Sequence, residues 1–189
     1  MHSTVFLRPT PTFFYLYQRW YKKKEEEITI FKKNVYLCTM RIVIQRVSEA
    51  SVTINRRVKS SIGKGYLILL GVCNEDTLDD VEWLVNKVVN LRVFDDENGI
   101  MNRSIMDVDG EVLVVSQFTL FASYKKGNRP SWFKAAGHEI SIPLYEAFCK
   151  QLESALHKTI GTGEFGADMK VALINDGPVT ICMDTKNKE

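Results

Sequence analysis

The sequence has few of the residues and runs that several classes of protein require. It contains three histidines and four cysteines in 189 residues. The cysteines are far apart and form no CxxC or Cys/His pattern, which favours neither a zinc site nor a disulfide scaffold and indicates a reducing compartment; they are Cys38, Cys73, Cys149 and Cys182. No apolar run is long enough to cross a bilayer. We therefore predict a cytoplasmic protein with no membrane contact, no metal and no other cofactor.

Signatures of common catalytic sites are missing as well. The glycines near residue 64 lack the Lys-Ser/Thr ending of a phosphate-binding loop, and the acidic turn at 95–99 lacks the closing glutamate of a calcium loop. A Ser-His-Asp hydrolase is weakly supported, because there is no G-x-S-x-G elbow and none of the histidines is placed to activate a serine; they are His2, His138 and His157. His157 is expected to end a helix instead, where positive charge is favourable.

Charge and composition separate the first 39 residues from the rest. Residues 1–39 hold seven basic and three acidic side chains, whereas residues 40–189 hold 18 and 20, so any contact with nucleic acid must be a local patch. Three consecutive glutamates argue against an organellar signal. We predict an N-terminal extension, residues 1–39, that is either disordered or upstream of a true start at Met40, followed by one domain, residues 40–189.

A short run of branched and aromatic residues, 111–121, predicts a central strand that is covered on both faces. Three polar residues interrupt it, Ser116, Gln117 and Thr119. A buried hydroxyl or amide without a partner costs about 1–3 kcal/mol, so these side chains are either satisfied in the core or line a site. Further β-rich runs predict strands at 41–47, 50–54, 66–72, 169–174 and 179–183, with the last two forming a hairpin around the turn at 175–178.

Two helices follow from apolar spacing. The first begins after Thr77, runs to about Leu91 and faces the sheet with Val81, Leu84, Val85 and Val88. Trp83 lies off this stripe and indicates a second packing surface or partial burial at the helix edge. The second helix begins near Pro143 and buries Leu144, Phe148, Leu152 and Leu156. Helices mixed with strands in this order predict an α/β domain with two main helices.

The loop at 123–134 combines cations with aromatic rings. This composition suits contacts with phosphates and bases, and it equally suits an ordinary surface loop. Its candidate nucleic-acid contacts are Lys125, Lys126 and Arg129.

Two segments taken together resemble the paired signature motifs of the D-aminoacyl-tRNA deacylase family: Ser-Gln-Phe-Thr at 116–119 and Asn-Asp-Gly-Pro-Val-Thr at 175–180. Residues 44–47, 126–130 and 165–169 also resemble family segments, in the expected order. The resemblance covers essentially residues 40–189 and is to the D-specific branch, rather than to the related animal branch that edits a small L-amino acid.

The resemblance implies a three-layer α/β/β fold with mixed or antiparallel sheets, and a homodimer whose active site crosses the subunit interface. It implies hydrolysis of the ester that joins a D-amino acid, or glycine mischarged on tRNA-Ala, to the terminal adenosine of tRNA, without a metal. The catalytic residues it implies are Ser116, Gln117, Phe118 and Thr119. The residues it implies for substrate binding and chiral selection are Gly177, Pro178, Asn175, Thr180, Arg46 and Met169.

In the family the Gly-Pro pair is cis and enters the partner's pocket, where its carbonyls are expected to hold the substrate ammonium. Thr119 has two possible roles: a covalent nucleophile, for which the sequence offers no base, or a group that orients water or substrate while the ribose 2′-hydroxyl assists. Two other functions remain open from the residues alone: an RNA-binding α/β domain without chemistry, and a serine esterase acting through Ser116.

Overall fold

A computed structural model describes Lys22, residues 38–125 and residues 127–188. The expected extension therefore falls largely outside the described residues. The chain divides into two units, Met1–Leu37 and Cys38–Glu189, and the architecture below belongs to the second. Cys38 and Thr39 are already buried in that unit. Among the described residues, no helix is both long and apolar enough to span a membrane.

The main element is a mixed six-stranded sheet. The strands are β1 (Arg41–Ile54), β2 (Arg57–Ile62), β3 (Gly65–Gly71), β4 (Phe94–Asp95), β5 (Met101–Arg103), β6 (Glu111–Ser116), β7 (Gly161–Thr162) and β8 (Met169–Asp184). The order in the main sheet is β2-β1-β3-β6-β7, with β8 paired to the free side of β1, and a separate two-stranded sheet joins β4 to β5. The β3–β6 and β6–β7 pairs are parallel, and the other pairs are antiparallel.

The first helix, α1 (Leu78–Asn90), matches its prediction. Its N-terminus is capped by Thr77, whose backbone N–H donates to the Asp80 carboxylate at 2.9 Å. The four predicted apolar residues are buried against the sheet. Trp83 is only partly buried at the helix edge, with the Lys188 ammonium 4.5 Å from its ring centroid.

The second helix, α2 (His138–Leu156), begins earlier than predicted. We placed Pro143 in its first turn, but Pro143 is the sixth residue of the helix. Proline has no backbone N–H, so one helical hydrogen bond is missing at this position. The preceding turn still forms because the Ser141 N–H and hydroxyl both donate to the Gly137 carbonyl at 2.9 Å. The predicted core stripe of α2 is buried, and His157 ends the helix with a left-handed φ of 55°.

Two apolar cores separate three layers, which confirms the predicted α/β/β arrangement. One face of β3 and β6 packs on the helices, through residues that include Tyr66, Ile68, Val112 and Val114. The opposite face, with Leu67, Leu113 and Val115, packs on the second half of β1 and on β2. Successive side chains of a strand point to opposite faces, so a strand that is apolar throughout is covered on both sides.

Three predicted strand boundaries are wrong. The central strand ends at Ser116, and a 3-10 helix, Phe118–Phe121, replaces its second half. The runs at 41–47 and 50–54 form one strand, β1. The hairpin at the C-terminus is absent, since 169–174 and 179–183 belong to one strand, β8, whose two halves pair with β1 rather than with each other. Turn-forming residues at 175–178 make a bulge there, because β1 supplies a continuous partner on both sides of it.

Candidate active site

A cavity of about 320 Å³ opens where β6 ends. Ser116, Gln117 and Phe118 line one side of it, and Met169 lines another. Ser116 is held beside Leu70 by the parallel pairing of β6 with β3. The carboxyl ends of parallel strands are a common location for ligand sites, because side chains there leave the sheet edge and converge.

The 3-10 helix fixes the groups that follow Ser116. The Gln117 N–H donates to the Leu70 carbonyl at 2.7 Å, so it is not available to a ligand. The first N–H groups of a helix have no acceptor within it, which leaves those of Phe118 and Thr119 as the donors at this turn. The Gln117 side-chain amide donates to the Thr119 hydroxyl oxygen and fixes its orientation.

Phe118 is an exposed aromatic ring, not a core residue as the strand prediction required. It is 57% exposed and packs edge-on against Trp132, with 5.6 Å between ring centroids. Trp132 follows Ser131, which pairs with Ser123 and closes the loop between them. Lys125 and Arg129 lie exposed in that loop, whereas Lys126 lies outside the described residues. The cations are therefore carried on a loop whose base touches the cavity rim.

The second motif forms a bulge on β8. Asn175 pairs with Val47 and Thr180 pairs with Gln45, so residues 176–179 stand opposite a single residue of β1. The Gly177–Pro178 peptide bond within the bulge is cis, and both residues are exposed. Gly177 has a φ of +115°, and a Cβ added to it would lie 2.9 Å from Arg46 Nη2 and 2.9 Å from Val179 Cγ2. The bulge therefore accepts only glycine at this position.

Arg46 lies beneath the bulge and is 5% exposed. Its Nε donates to the Asp176 carbonyl oxygen at 3.2 Å, and its Nη1 donates to the Val93 carbonyl oxygen at 2.6 Å. Its Nη1 is also 3.3 Å from a carboxylate oxygen of Asp95. A planar guanidinium can make these contacts together because its donors point in fixed, separate directions. The contacts link the bulge to the chain between α1 and β4.

Asn175 and Thr180 close the two ends of the bulge. The Asn175 amide donates to the carbonyl oxygens of Arg46 and Val179, both at 3.2 Å, and to the Gln45 side-chain oxygen at 3.0 Å. The Thr180 hydroxyl donates to the same Gln45 oxygen. These two residues therefore shape the bulge through Gln45. We did not single out Gln45 from the sequence, although it lies in the 44–47 segment.

Among the described residues of one chain, those of the second motif do not line the cavity beside Ser116. Strands β1 and β3 lie between β8 and β6, and strands in a sheet are about 4.8 Å apart, so the bulge is roughly 14 Å from β6 across the sheet. Met169 is the first residue of β8 and pairs with Ile54, whereas Gly177 lies in the middle of the strand. Its sulfur accepts the Glu164 N–H at 3.4 Å beside the cavity. In its own chain, then, Met169 lies with the first motif and not with the second.

Residues that line the cavity and are not among the predicted site residues include His138, Ser141, Tyr145 and Phe165. The Phe165 ring contacts His138 and Tyr145, with centroid distances of 5.4 and 6.2 Å. Burial raises the pKa of the Tyr145 phenol well above its ordinary value, and its hydroxyl donates to the Val114 carbonyl at 2.9 Å. His138 is the first residue of α2, which the predicted start of that helix near Pro143 left out. The rings of His138, Tyr145 and Phe165 form an aromatic wall in the cavity that Ser116 also lines. Such a wall is suited to packing against a flat ring.

Comparison with known proteins gives a consistent picture. The family model described as D-Tyr-tRNA(Tyr) deacylase matches residues 43–184. A D-aminoacyl-tRNA deacylase of Bacteroides thetaiotaomicron is 69% identical over 150 residues, which are 79% of this chain and all of the relative. The D-aminoacyl-tRNA deacylase of Flavobacterium psychrophilum is 59% identical over the same length and coverage.

Two solved structures share the fold. One, described as a c-Myc DNA unwinding element binding protein, has a TM-score of 0.72 and 44% identity, and the match covers 76% of this chain and 97% of that one. The other, described as a probable eukaryotic D-amino acid tRNA deacylase, has a TM-score of 0.67 at 16% identity, and the match covers 77% and 99%. At 16% identity the second likeness concerns the fold alone.

Proposed function

This chain belongs to the D-aminoacyl-tRNA deacylase family, and we propose that it cleaves the ester between a D-amino acid and the terminal adenosine of tRNA at the cavity beside Ser116. As a member of that family it is a hydrolase that acts on aminoacyl-tRNA. We place this activity in the cytoplasm. The single observation that carries the proposal is the exposed Gly177–Pro178 bulge, held at its base by Arg46.

The complete site requires a second copy of the chain. The bulge and the cavity are on different strands of one chain, with two strands between them. Gly177 and Pro178 are exposed, as are Leu173 and Ile174 on the same strand. Exposed backbone next to exposed apolar side chains suits an interface between copies. In the proposed homodimer the bulge of one subunit enters the cavity of its partner, where it meets Met169.

Chiral selection arises from steric exclusion in this arrangement. The carbonyl oxygens of Gly177 and Pro178 accept hydrogen bonds from the substrate ammonium. With the ammonium and the ester fixed, an L side chain points into the bulge, whereas a D side chain points away from it. Rejection by collision gives specificity without any attraction to the D side chain. Glycine has no side chain to reject, so glycyl-tRNA, including glycine mischarged on tRNA-Ala, is a substrate.

The first motif supplies the chemistry. Water adds to the ester carbonyl, the bond to the ribose oxygen breaks, and the products are the free amino acid and tRNA with its terminal hydroxyl restored. The N–H groups of Phe118 and Thr119 donate to the oxyanion as it forms. The Thr119 hydroxyl, oriented by Gln117, positions water or substrate while the ribose 2′-hydroxyl assists. Phe118 and the aromatic wall hold the adenosine, and Ser116 forms the floor of the pocket.

The loop that carries Lys125, Lys126 and Arg129 contacts tRNA phosphates. Binding of cationic side chains to tRNA is favourable because each phosphate that they neutralise releases the counterions held around it. Its connection to the cavity through Trp132 and Phe118 supports an approach of the acceptor end along this loop.

The test is deacylation of matched D-tyrosyl-tRNA and L-tyrosyl-tRNA, with glycyl-tRNA-Ala as a third substrate and chelator present. We expect release of D-tyrosine and glycine and no release of L-tyrosine. Binding of tRNA without release from any substrate would instead identify a non-catalytic RNA-binding α/β domain. Equal release of D- and L-tyrosine would remove the role proposed for Gly177–Pro178.

A further inference from the structure

Two buried cysteines that are 35 positions apart in sequence meet behind the 3-10 helix. Cys38 is 7% exposed and Cys73 is fully buried. Their sulfur atoms and a carboxylate oxygen of Glu75 all lie within 4.8 Å of one another. Cys73 Sγ is 3.3 Å from Glu75 Oε2 and 3.5 Å from Asp76 Oδ1. Sequence spacing could not reveal this cluster, because Cys38 reaches it from the segment before β1.

The donor set suits a thiophilic divalent cation. Zinc is bound in tetrahedral sites by Cys sulfur at about 2.3 Å and by carboxylate oxygen, and two sulfurs on one zinc are then about 3.8 Å apart. Three donor atoms within 4.8 Å of one another need only a small contraction to reach that geometry. A water molecule would be the fourth ligand of such a site.

The surroundings hold these donors in place. Asp76, which is buried, accepts the Cys73 N–H at 2.7 Å, and the Cys38 thiol donates to the Lys134 carbonyl at 3.2 Å. Acidic groups packed against thiols are unfavourable for a bare thiolate, and a cation between them removes that cost.

We propose that Cys38, Cys73 and Glu75 form a zinc site, with Asp76 orienting Cys73 from outside the coordination sphere. Each thiol loses its proton to solvent when it coordinates, so two protons are released for each ion bound. The site is separate from the catalytic cavity, and Cys38 lies outside residues 43–184, the part of the chain that the family model matches.

A bound ion would join two segments that are distant in the chain and lie against a third. Cys73 pairs with Ala135 in the loop after Trp132, and both cysteines pack against Phe121 at the end of the 3-10 helix. Zinc would therefore stabilise the segment before β1 and its contact with the loop after Trp132.

The test uses the full-length, reduced and metal-stripped protein, titrated with Co²⁺ and then with Zn²⁺. We expect one Co²⁺ per chain, a sulfur-to-cobalt charge-transfer band that Zn²⁺ abolishes, and release of two protons per ion in weak buffer. Cys38→Ser and Cys73→Ser should each lower affinity by at least about 100-fold and remove most of the band, and Glu75→Gln should lower affinity about 10-fold.

Two other cysteines provide matched controls. Cys149 is buried and Cys182 is exposed, and both lie outside the cluster, so Cys149→Ser and Cys182→Ser should leave the band and the stoichiometry unchanged. Cys38→Ser should keep its circular dichroism spectrum and its deacylase activity, which separates loss of metal from loss of fold.

Three results would overturn the zinc site. The first is no charge-transfer band in the reduced protein. The second is an equal band in Cys38→Ser. The third is a Cys38–Cys73 disulfide formed by mild oxidant in a protein that binds neither cobalt nor zinc, which would make the pair a redox couple instead. None of these results bears on deacylation, so the two proposals fail independently.

Discussion

The guanidinium Nε of Arg46 lies 3.2 Å from both the carbonyl oxygen and a carboxylate oxygen of Asp176. Asp176 directly precedes the cis Gly177–Pro178 bond, so a buried cation fixes the chain at the point where the bulge leaves the sheet. A buried charge is stable only when it is paired and hydrogen-bonded, and Arg46 satisfies this through Val93, Asp95 and Asp176. The position of the bulge and the burial of Arg46 therefore depend on each other.

Arg46→Lys tests this dependence. A lysine keeps the charge but cannot contact Val93, Asp95 and Asp176 together, because an ammonium lacks the planar fork. We expect kcat/KM for D-tyrosyl-tRNA to fall about 100-fold, since a displacement of about 1 Å at a positioning group has that effect. Arg41→Lys is the matched control, because Arg41 is on the same strand but exposed and paired with Asp184. Equal losses in the two variants would contradict a special role for Arg46.

Gly177→Ala tests the space at the bulge. The added methyl group would be 2.9 Å from Arg46 Nη2 and from Val179 Cγ2, and the φ of +115° disfavours any side chain. We expect at least a 100-fold loss of D-tyrosyl-tRNA deacylation, measured alongside the melting temperature. Gly99→Ala is the control that separates backbone strain from a steric clash of the new methyl group. Gly99 also has a positive φ, +73°, but no atom lies within 4 Å of a Cβ added to it. Gly99→Ala should cost about 1 kcal/mol of stability and leave activity unchanged. D-selective activity retained in Gly177→Ala would refute the proposed role of the bulge.

Most of the architecture could be predicted from the sequence, because apolar spacing reports burial directly. The stripe on α1 and the two-sided burial of the β6 strand are examples. The second motif was placed in a hairpin for a physical reason: Asn, Asp, Gly and Pro favour turns, and nothing local in the sequence reveals that β1 continues past them. The same limit hid the aromatic wall and the Cys38–Cys73 contact, since both are made by residues that are distant in the chain.

Phe118→Ala tests the exposed ring at the cavity rim. Because Phe118 is 57% exposed, its removal should change the free energy of unfolding by less than about 1 kcal/mol. Loss of a base-stacking surface should raise KM for D-tyrosyl-tRNA about 10-fold, since stacking contributes about 1–3 kcal/mol per base. Phe148→Leu is the opposite case: it is fully buried, so it should lower stability without changing KM. A change in kcat alone for Phe118→Ala would contradict a binding role.

Thr119→Ser and Thr119→Ala distinguish the two roles of that hydroxyl. If Thr119 orients water or substrate, Thr119→Ser should keep most activity, and Thr119→Ala should lose about 10-fold, because the contact with Gln117 is lost. If Thr119 is instead a covalent nucleophile, Thr119→Ala should be almost inactive, and the wild type should show a burst of tRNA release. Rapid quenching followed by mass spectrometry of the protein detects an aminoacyl group on Thr119, and such an adduct would establish the nucleophile.

The last prediction concerns acid stability at the start of α1. Burial raises the pKa of Asp80, but hydrogen bonds from Thr77 and the charge of Lys186 outweigh it, and the pKa is lowered from 3.8. A lowered pKa in the folded protein means that the carboxylate stabilises the fold above about pH 3.8 and that this contribution is lost as pH falls through the folded value. At pH 7, Asp80→Asn should therefore lower the free energy of unfolding by about 1–2 kcal/mol, as loss of a helix cap does.

Urea unfolding of the wild type and Asp80→Asn from pH 7 downward measures this contribution. The difference between the two should be constant above pH 5 and should shrink below pH 3.8, where Asp80 of the unfolded chain is protonated. Asp79→Asn is the control: Asp79 is an exposed acidic residue in the same turn and should cost only the interaction with the helix dipole, about 0.3–1 kcal/mol. A difference between wild type and Asp80→Asn that persists unchanged to pH 3 would show that the side chain acts through hydrogen bonds rather than through its charge, because an asparagine of nearly the same size differs from a protonated aspartate mainly in its hydrogen bonds.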